Sequence, residues 1–240
     1  MTKESMDSLK RKLKKKDAEL KILHQITDTI SYNLNLDEVL KEVVSIVSDT
    51  MKADSCLIYL TSDHSIILKA SKIPHPNMIN SVIMHLDEGI TGWVAKHRKT
   101  VIIEKEAYLD NRFKTVSRLS EDKWESFVSV PIIHQDKLVG VINIQNKKSK
   151  KYQKDQIKLL STIASQVGGA ISNAQLISET RVLKEALKTR KVVEKAKGLL
   201  MKSNNISENE AYEMIRRKSM NSKKTMKEIA EAIILTLNIV

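Results

Sequence analysis

Beyond Tyr152 the sequence carries an apolar stripe at helical spacing and not one proline. Ala164, Val167, Ala170, Ile171, Ala174 and Ile177 continue that stripe straight through Gly168-Gly169. A glycine pair breaks most helices, so an unbroken pattern around it points to small residues at a helix contact. The pattern then runs through Leu183 and Leu187 into a basic tail with no flexible linker. A single helix of this length ties the middle of the chain to its tail. A change of packing at one end can therefore bias the other, provided two discrete packings exist.

In the tail, Val192, Val193, Ala196, Leu199 and Leu200 form one stripe, with Arg190, Lys191, Glu194, Lys195 and Lys197 largely off it. Ser207 followed by Glu210 is a capping-box signature and predicts a second helix from about Glu208, with Ala211, Met214 and Ile215 inward. Thr225 and Glu228 repeat it for a third helix, with Ile229, Ala230, Ile233 and Leu237 inward. Gly198 costs its helix about 1 kcal/mol against alanine, which predicts close approach of another backbone or a ligand. Tyr212 is expected between the helices. Periodicity alone is equally satisfied by a plain bundle with solvated lysines.

The residues at these positions go further. Ala196-Lys197-Gly198-Leu199-Leu200-Met201, Ser207-Glu208, Ala211-Tyr212, Arg216, Ser219-Met220, Lys224 and Ile229-Ala230 together resemble the ANTAR domain over roughly the last 55 residues. That family is the RNA-binding antitermination module of bacterial response regulators and sensor proteins. The resemblance implies a three-helix domain that dimerises through a preceding coiled coil. It also implies binding to tandem RNA stem-loops in mRNA leaders, which keeps a terminator from forming. The candidate RNA-binding residues are Arg190, Lys197, Gly198, Arg216, Ser219, Met220, Lys223 and Lys224. Ser219 stands where alanine is also common in that family, and no loss of function is expected from it.

Charge supports an anionic partner for the tail. The net charge is +12, of which residues 187–240 hold 12 Lys and Arg against 6 Asp and Glu. Residues 1–24 hold 8 against 4, so the middle is nearly balanced. The lone Cys56 excludes an intramolecular disulfide and suits a reducing cytoplasm. No apolar run reaches membrane-span length, and the lysine-rich start lacks the apolar core of a secretory signal, so a soluble cytoplasmic protein with no membrane partner is expected.

The first 34 residues read as helix. Leu9, Leu13, Lys16, Leu20, Leu23, Thr27, Ile30 and Leu34 share a seam that fits either a short coiled coil or an amphipathic helix laid on the next domain. A helix restarts at Leu36 with Val39, Leu40, Val43, Val44, Ile46 and Val47 buried. Hairpins are predicted at 55–61 with 65–71 and at 126–134 with 137–145, a brief strand at 100–103, a short helix near Ile90, and irregular chain at 72–88. This is an α+β pattern, an antiparallel sheet with helices expected on one face. Gly89-Ile90-Thr91-Gly92-Trp93-Val94-Ala95, Ser129-Val130-Pro131-Ile132 and Leu138-Val139-Gly140-Val141-Ile142 resemble the GAF domain, a small-molecule sensor fold. So do Leu159-Leu160 and Ala164 with Gln166-Val167. The expected organisation is an N-terminal helix at 1–24, a GAF domain at 25–175, and a coiled-coil linker with the three-helix ANTAR domain at 176–240.

Little chemistry is visible in the middle. Trp93, Trp124 and Cys56 are the candidate ligand-pocket residues, with plain core packing as the alternative. His75, His85 and Cys56 could in principle hold a metal, but no histidines pair at ligand spacing and surface histidines account for them. Asn146-Lys147, Tyr152 and Asp155 resemble the signature of cyclic-nucleotide-binding GAF domains but depart from it in residue type and spacing. No phosphate-cradling loop or nucleophile motif is present, no cofactor is identified, and an enzyme is not expected. Two rival readings of the tail are a DNA-binding helix-turn-helix and a module that only dimerises.

Overall fold

The computed structural model describes residues 3–32, 35–73, 77–114 and 123–237, in two compact units, Met1–Ala174 and Gln175–Val240. Pro74, His75 and Pro76, and Leu34 of the N-terminal seam, lie outside the described residues.

The first unit opens with α1 (Lys3–Tyr32) and α2 (Leu36–Met51). Asn35 caps α2 by accepting from the Asp37 amide at 3.0 Å. Val39, Leu40, Val43, Val44, Ile46 and Val47 are all buried, as their spacing requires. On α1 the two halves differ. Ile26 is fully buried, and Ile22, Leu23 and Ile30 pack on the core, whereas Leu9, Leu13 and Leu20 are exposed. The C-terminal half of α1 is therefore part of this domain, and only its N-terminal half presents an uncovered seam.

Six antiparallel strands follow, β1 (Ser55–Ser62), β2 (Ser65–Ser71), β3 (Ile83–His85), β4 (Val101–Ile103), β5 (Ser126–His134) and β6 (Lys137–Asn146), in the order β3-β2-β1-β6-β5-β4. The β5–β6 turn has positive φ at Gln135 and Asp136, the turn type that matches strand twist. The predicted irregular stretch contains β3, an edge strand too short to show a period. Between β3 and β4 lies α3 (Gly89–His97).

Period-two alternation sends successive residues to opposite faces of the sheet, and both faces are covered. Ile58, Val128, Val130, Ile142 and Ile144 pack beneath α2 and α4 (Lys154–Asn204). Leu57, Tyr59, Phe127 and Val141 pack beneath Ile90, Val94 and Ala95 of α3. This corrects the expectation of helices on one face: α3 is a second, short cover. A Cβ on Gly168 would sit 3.1 Å from Ile132 Cγ2 and 3.2 Å from the Ile133 carbonyl, so the small residue does serve a close approach of α4 to β5.

In the second unit, α4 is followed by α5 (Glu208–Ser222) and α6 (Met226–Leu237). Both capping boxes form. Ser207 Oγ accepts from the Glu210 amide, and the Glu210 carboxylate accepts from the Ser207 amide at 2.8 Å. The Thr225 amide donates to Glu228 at 2.7 Å, and the Glu228 amide returns to Thr225 Oγ1 at 3.2 Å. Val193, Ala196, Leu200, Ala211, Ile215, Ile229 and Ala230 make the core, with Ile233 and Leu237 packed against it. Met214 and Tyr212, expected inward, are exposed, and Ala211 and Ile215 are the residues that α5 buries.

Candidate functional site

The tail brings the predicted RNA-binding residues onto α4, α5 and the turn after α5, but gives them different surroundings. Arg190, Arg216, Lys223 and Lys224 are exposed. The side chain of Arg216 is 56 % exposed and has Glu213 on one edge at 3.2 Å. Met220 is 65 % exposed. Ser219 is half-buried, and its hydroxyl donates to the Lys224 carbonyl at 2.6 Å while the Lys224 amide returns to the Ser219 carbonyl at 3.2 Å. Ser219 thus locks the turn that displays Lys223 and Lys224. Lys223 itself closes α5 in the left-handed conformation at φ 53°.

Lys197 is the exception. It is only 7 % exposed, and its ammonium donates to Glu208 at 2.7 Å and Glu194 at 2.9 Å. The hydrogen bonds to Glu208 and then Glu194 raise its pKa, and Lys197 in turn holds the Glu208 carboxyl below its usual range. Its ammonium is engaged by two exposed carboxylates and ties the end of α4 to the start of α5. At Gly198 only the backbone half of the expectation is unmet. Among the described residues, a Cβ there would meet nothing within 4 Å outside its own stretch of helix, so no other backbone approaches it. The space beside it is open to a group from outside the chain.

The three sequence-predicted pocket residues do not surround one cavity. Cys56 is fully buried in the cluster beneath α2 and α4, where burial pushes its thiol up to about 12 and removes thiolate chemistry at neutral pH. Trp93 lies with the opposite cluster, stacked on His97 at 4.4 Å with the Arg112 guanidinium 4.9 Å from its ring. Trp124 is buried just before β5, its carbonyl accepting from the Tyr108 amide at 3.2 Å. The cyclic-nucleotide-like residues are structural too. Tyr152 and Ser126 converge on Asn146, whose Nδ2 donates to the Tyr152 hydroxyl at 2.7 Å, and Asp155 pairs with Lys15 at 2.8 Å.

Sequence reasoning missed a polar patch on the face beneath α3. Ser129 Oγ donates to Asn143 Oδ1 at 2.7 Å, and Asn143 Nδ2 donates to Thr91 Oγ1 at 2.8 Å. On the same face, by strand register, lie Ser55, opposite Gln145, and Ser71, opposite Leu57. Among the described residues, Ser55 Oγ, Ser71 Oγ and Gln145 Oε1 are buried without a hydrogen-bond partner, a costly state for a polar atom. Among the described residues no cluster could hold a metal ion.

Each half of this architecture is similar to known proteins. Residues 33–172 match the GAF domain and residues 181–234 match the ANTAR domain. Over 62 residues the chain is 44% identical to the transcriptional regulatory protein PdtaR of Mycobacterium tuberculosis, covering 26% of this chain and 30% of that protein. Over 217 residues it is 28% identical to the dual 3′,5′-cyclic-AMP and -GMP phosphodiesterase 11A of Takifugu rubripes, covering 84% of this chain and 23% of that protein. The crystal structure of the GAF domain from an Acinetobacter phosphoenolpyruvate-protein phosphotransferase aligns with a TM-score of 0.60 at 29% identity, over 68% of this chain and 98% of that one. The chain spans less than a third of the length of either curated relative. It belongs to the GAF-domain family, with an ANTAR domain following its GAF domain.

Proposed function

We propose that this protein is an RNA-binding transcription antitermination regulator rather than an enzyme. Its ANTAR bundle grips RNA hairpins in mRNA leaders and prevents terminator formation, and its GAF domain governs when it does so. The carrying observation is the cationic surface of a bundle of this family: Arg190, Arg216, Lys223 and Lys224 are exposed on α4, α5 and the turn that Ser219 locks. Such side chains take phosphate oxygens and release counterions.

The DNA-binding alternative asks α6 to enter a major groove. Its one basic side chain, Lys227, pairs with Glu185 at 3.4 Å, and Glu228 and Glu231 share the helix. That helix offers a polyanion nothing to hold. Dimerisation is part of the reading as well: Leu176, Leu183 and Leu187 recur at heptad spacing on α4 and are all exposed, as a seam awaiting a second copy would be. For the GAF domain, the unpaired Ser55, Ser71 and Gln145 oxygens favour a small hydrogen-bonding signal beneath α3. The unbroken α4 carries that signal's effect toward the tail.

Mobility-shift titrations with an RNA hairpin and a DNA duplex of matched length test the reading. The hairpin is expected to bind more tightly, with an affinity that falls steeply with salt. Arg216→Ala should reduce the slope of log K against log salt by about one. Equal affinity for the two nucleic acids would reduce the tail to nonspecific electrostatics and contradict the proposal.

A further inference from the structure

Two runs of the chain carry cations and no acid: residues 10–16 hold six Lys and Arg, and residues 147–154 hold five. The first lies on α1 and the second spans the connection from β6 to α4. The fold of the first unit sets them side by side. Lys15 Nζ reaches Asp155 at 2.8 Å and Gln153 Oε1 at 3.5 Å, partners about 140 residues further along the chain. The acids at this junction are already engaged. The hydrogen bond from Lys15, backed by the charges of Lys16 and Lys158, holds the Asp155 carboxyl below its ordinary range. Asp54 accepts from the Lys147 amide at 2.8 Å. Lys150 is structural, since its ammonium donates to the Lys52 carbonyl at 2.7 Å and so ties the loop to the end of α2.

The other cations are free to act. Arg11 and Lys12 stand one turn before Lys15 on the same side of α1. They are exposed, as are Lys148, Lys151 and Lys154, and none of the five forms an ion pair among the described residues. Like charges gathered in this way repel one another and oppose the compact state unless an anion spans them. The surface also says which anion. Met6, Leu9 and Leu13, the exposed apolar side chains of this half of α1, lie about 120° to 180° round the helix from Lys15. A bilayer takes basic and apolar side chains in one plane, so it cannot take this surface and that stripe together. The only aromatic in either run, Tyr152, is buried, with its hydroxyl 2.7 Å from Asn146 Nδ2. No platform for an unstacked base is offered, and phosphate backbone is what the surface fits.

We propose that this surface of the first unit is a second RNA contact, holding the phosphate backbone of a duplex stem without reading its sequence. The proposal rests on the RNA-binding reading above for the identity of the polyanion, and it places a contact outside the ANTAR bundle.

The test uses the full chain and a loop-free RNA duplex of arbitrary sequence, titrated over a salt series. A variant with Arg11→Gln, Lys12→Gln, Lys151→Gln and Lys154→Gln is expected to bind the duplex at least roughly tenfold more weakly. Its slope of log K against log salt should be smaller by about four, one for each cation removed. A tail variant with Arg216→Ala, Lys223→Ala and Lys224→Ala is expected to keep most of that duplex binding. Exchanging lysine and arginine at the same four positions, as Arg11→Lys, Lys12→Arg, Lys151→Arg and Lys154→Arg, should restore the wild-type affinity, which separates charge from folding. Equal duplex binding by the glutamine variant and wild type would overturn the proposal, as would failure of the charge-preserving exchange to restore it. Binding to phosphatidylglycerol vesicles that the glutamine variant loses would also overturn it, by making the surface a lipid contact. A wild-type protein that does not prefer a hairpin to duplex DNA is a separate result: it removes the tail's reading, while the glutamine variant's loss on duplex RNA still supports this surface.

Discussion

Replacing Lys197 by alanine is expected to abolish hairpin binding and to lower the melting temperature of the second unit, leaving the GAF domain's transition in place. The reason is not a lost phosphate contact. Lys197 is 7 % exposed and sits between Glu194 and Glu208, so its removal leaves two carboxylates facing each other where α4 hands over to α5. The seating of the start of α5 against α4 depends on that tie. Glu208→Gln separates the two possibilities, because it breaks the stronger arm of the tie while removing a negative charge from a surface that binds a polyanion. Simple electrostatics predicts tighter RNA binding from that variant. The clamp predicts weaker binding, by several-fold, together with a lower melting temperature. Tighter binding by Glu208→Gln in a salt titration would return Lys197 to the set of direct contacts.

Gly198→Ala is expected to move stability and affinity in opposite directions. Among the described residues, nothing outside the glycine's own stretch of helix lies within 4 Å of where the new methyl would stand, so the substitution should stabilise α4 by about 1 kcal/mol. If RNA backbone closes on that spot, flanked by the exposed Lys191, Lys195 and Lys202, the same methyl holds it off, and affinity should fall roughly tenfold. Thermal melts and hairpin titrations on one preparation read both quantities, with light scattering to show that the oligomeric state is unchanged. A stabilised variant with unchanged affinity would remove Gly198 from the interface and leave the glycine without a purpose in this chain.

How far the sequence could be read depended on the length scale of each interaction. The starts of α5 and α6 were visible because a capping box spans three residues, and both boxes form as written. The burial of α2 was visible because six large residues keep one period. What failed needed neighbours from elsewhere in the chain. Tyr212 and Met214 looked inward on a helix whose core contacts are only Ala211 and Ile215, because side-chain size misleads where small residues set the spacing. Lys197 stood among the candidate RNA contacts with no sign of its ion pair, since one of its partners lies beyond the turn, at Glu208. Cys56 and Trp93 looked like joint pocket residues, yet they fall in clusters on opposite faces of the sheet. The polar patch beneath α3 is assembled from β1, β2, β5, β6 and α3, and no local pattern announces it.

If exposed cations of the C-terminal bundle hold RNA, the contact must form in the cell. Ultraviolet crosslinking in cells, with digestion and mass spectrometry of the protein and sequencing of the attached RNA, tests it most directly. Crosslinked peptides are expected from residues 187–224, attached to leader transcripts that fold into hairpins. Recovery of no transcripts on that bundle, or of crosslinks confined to the GAF domain, would contradict it.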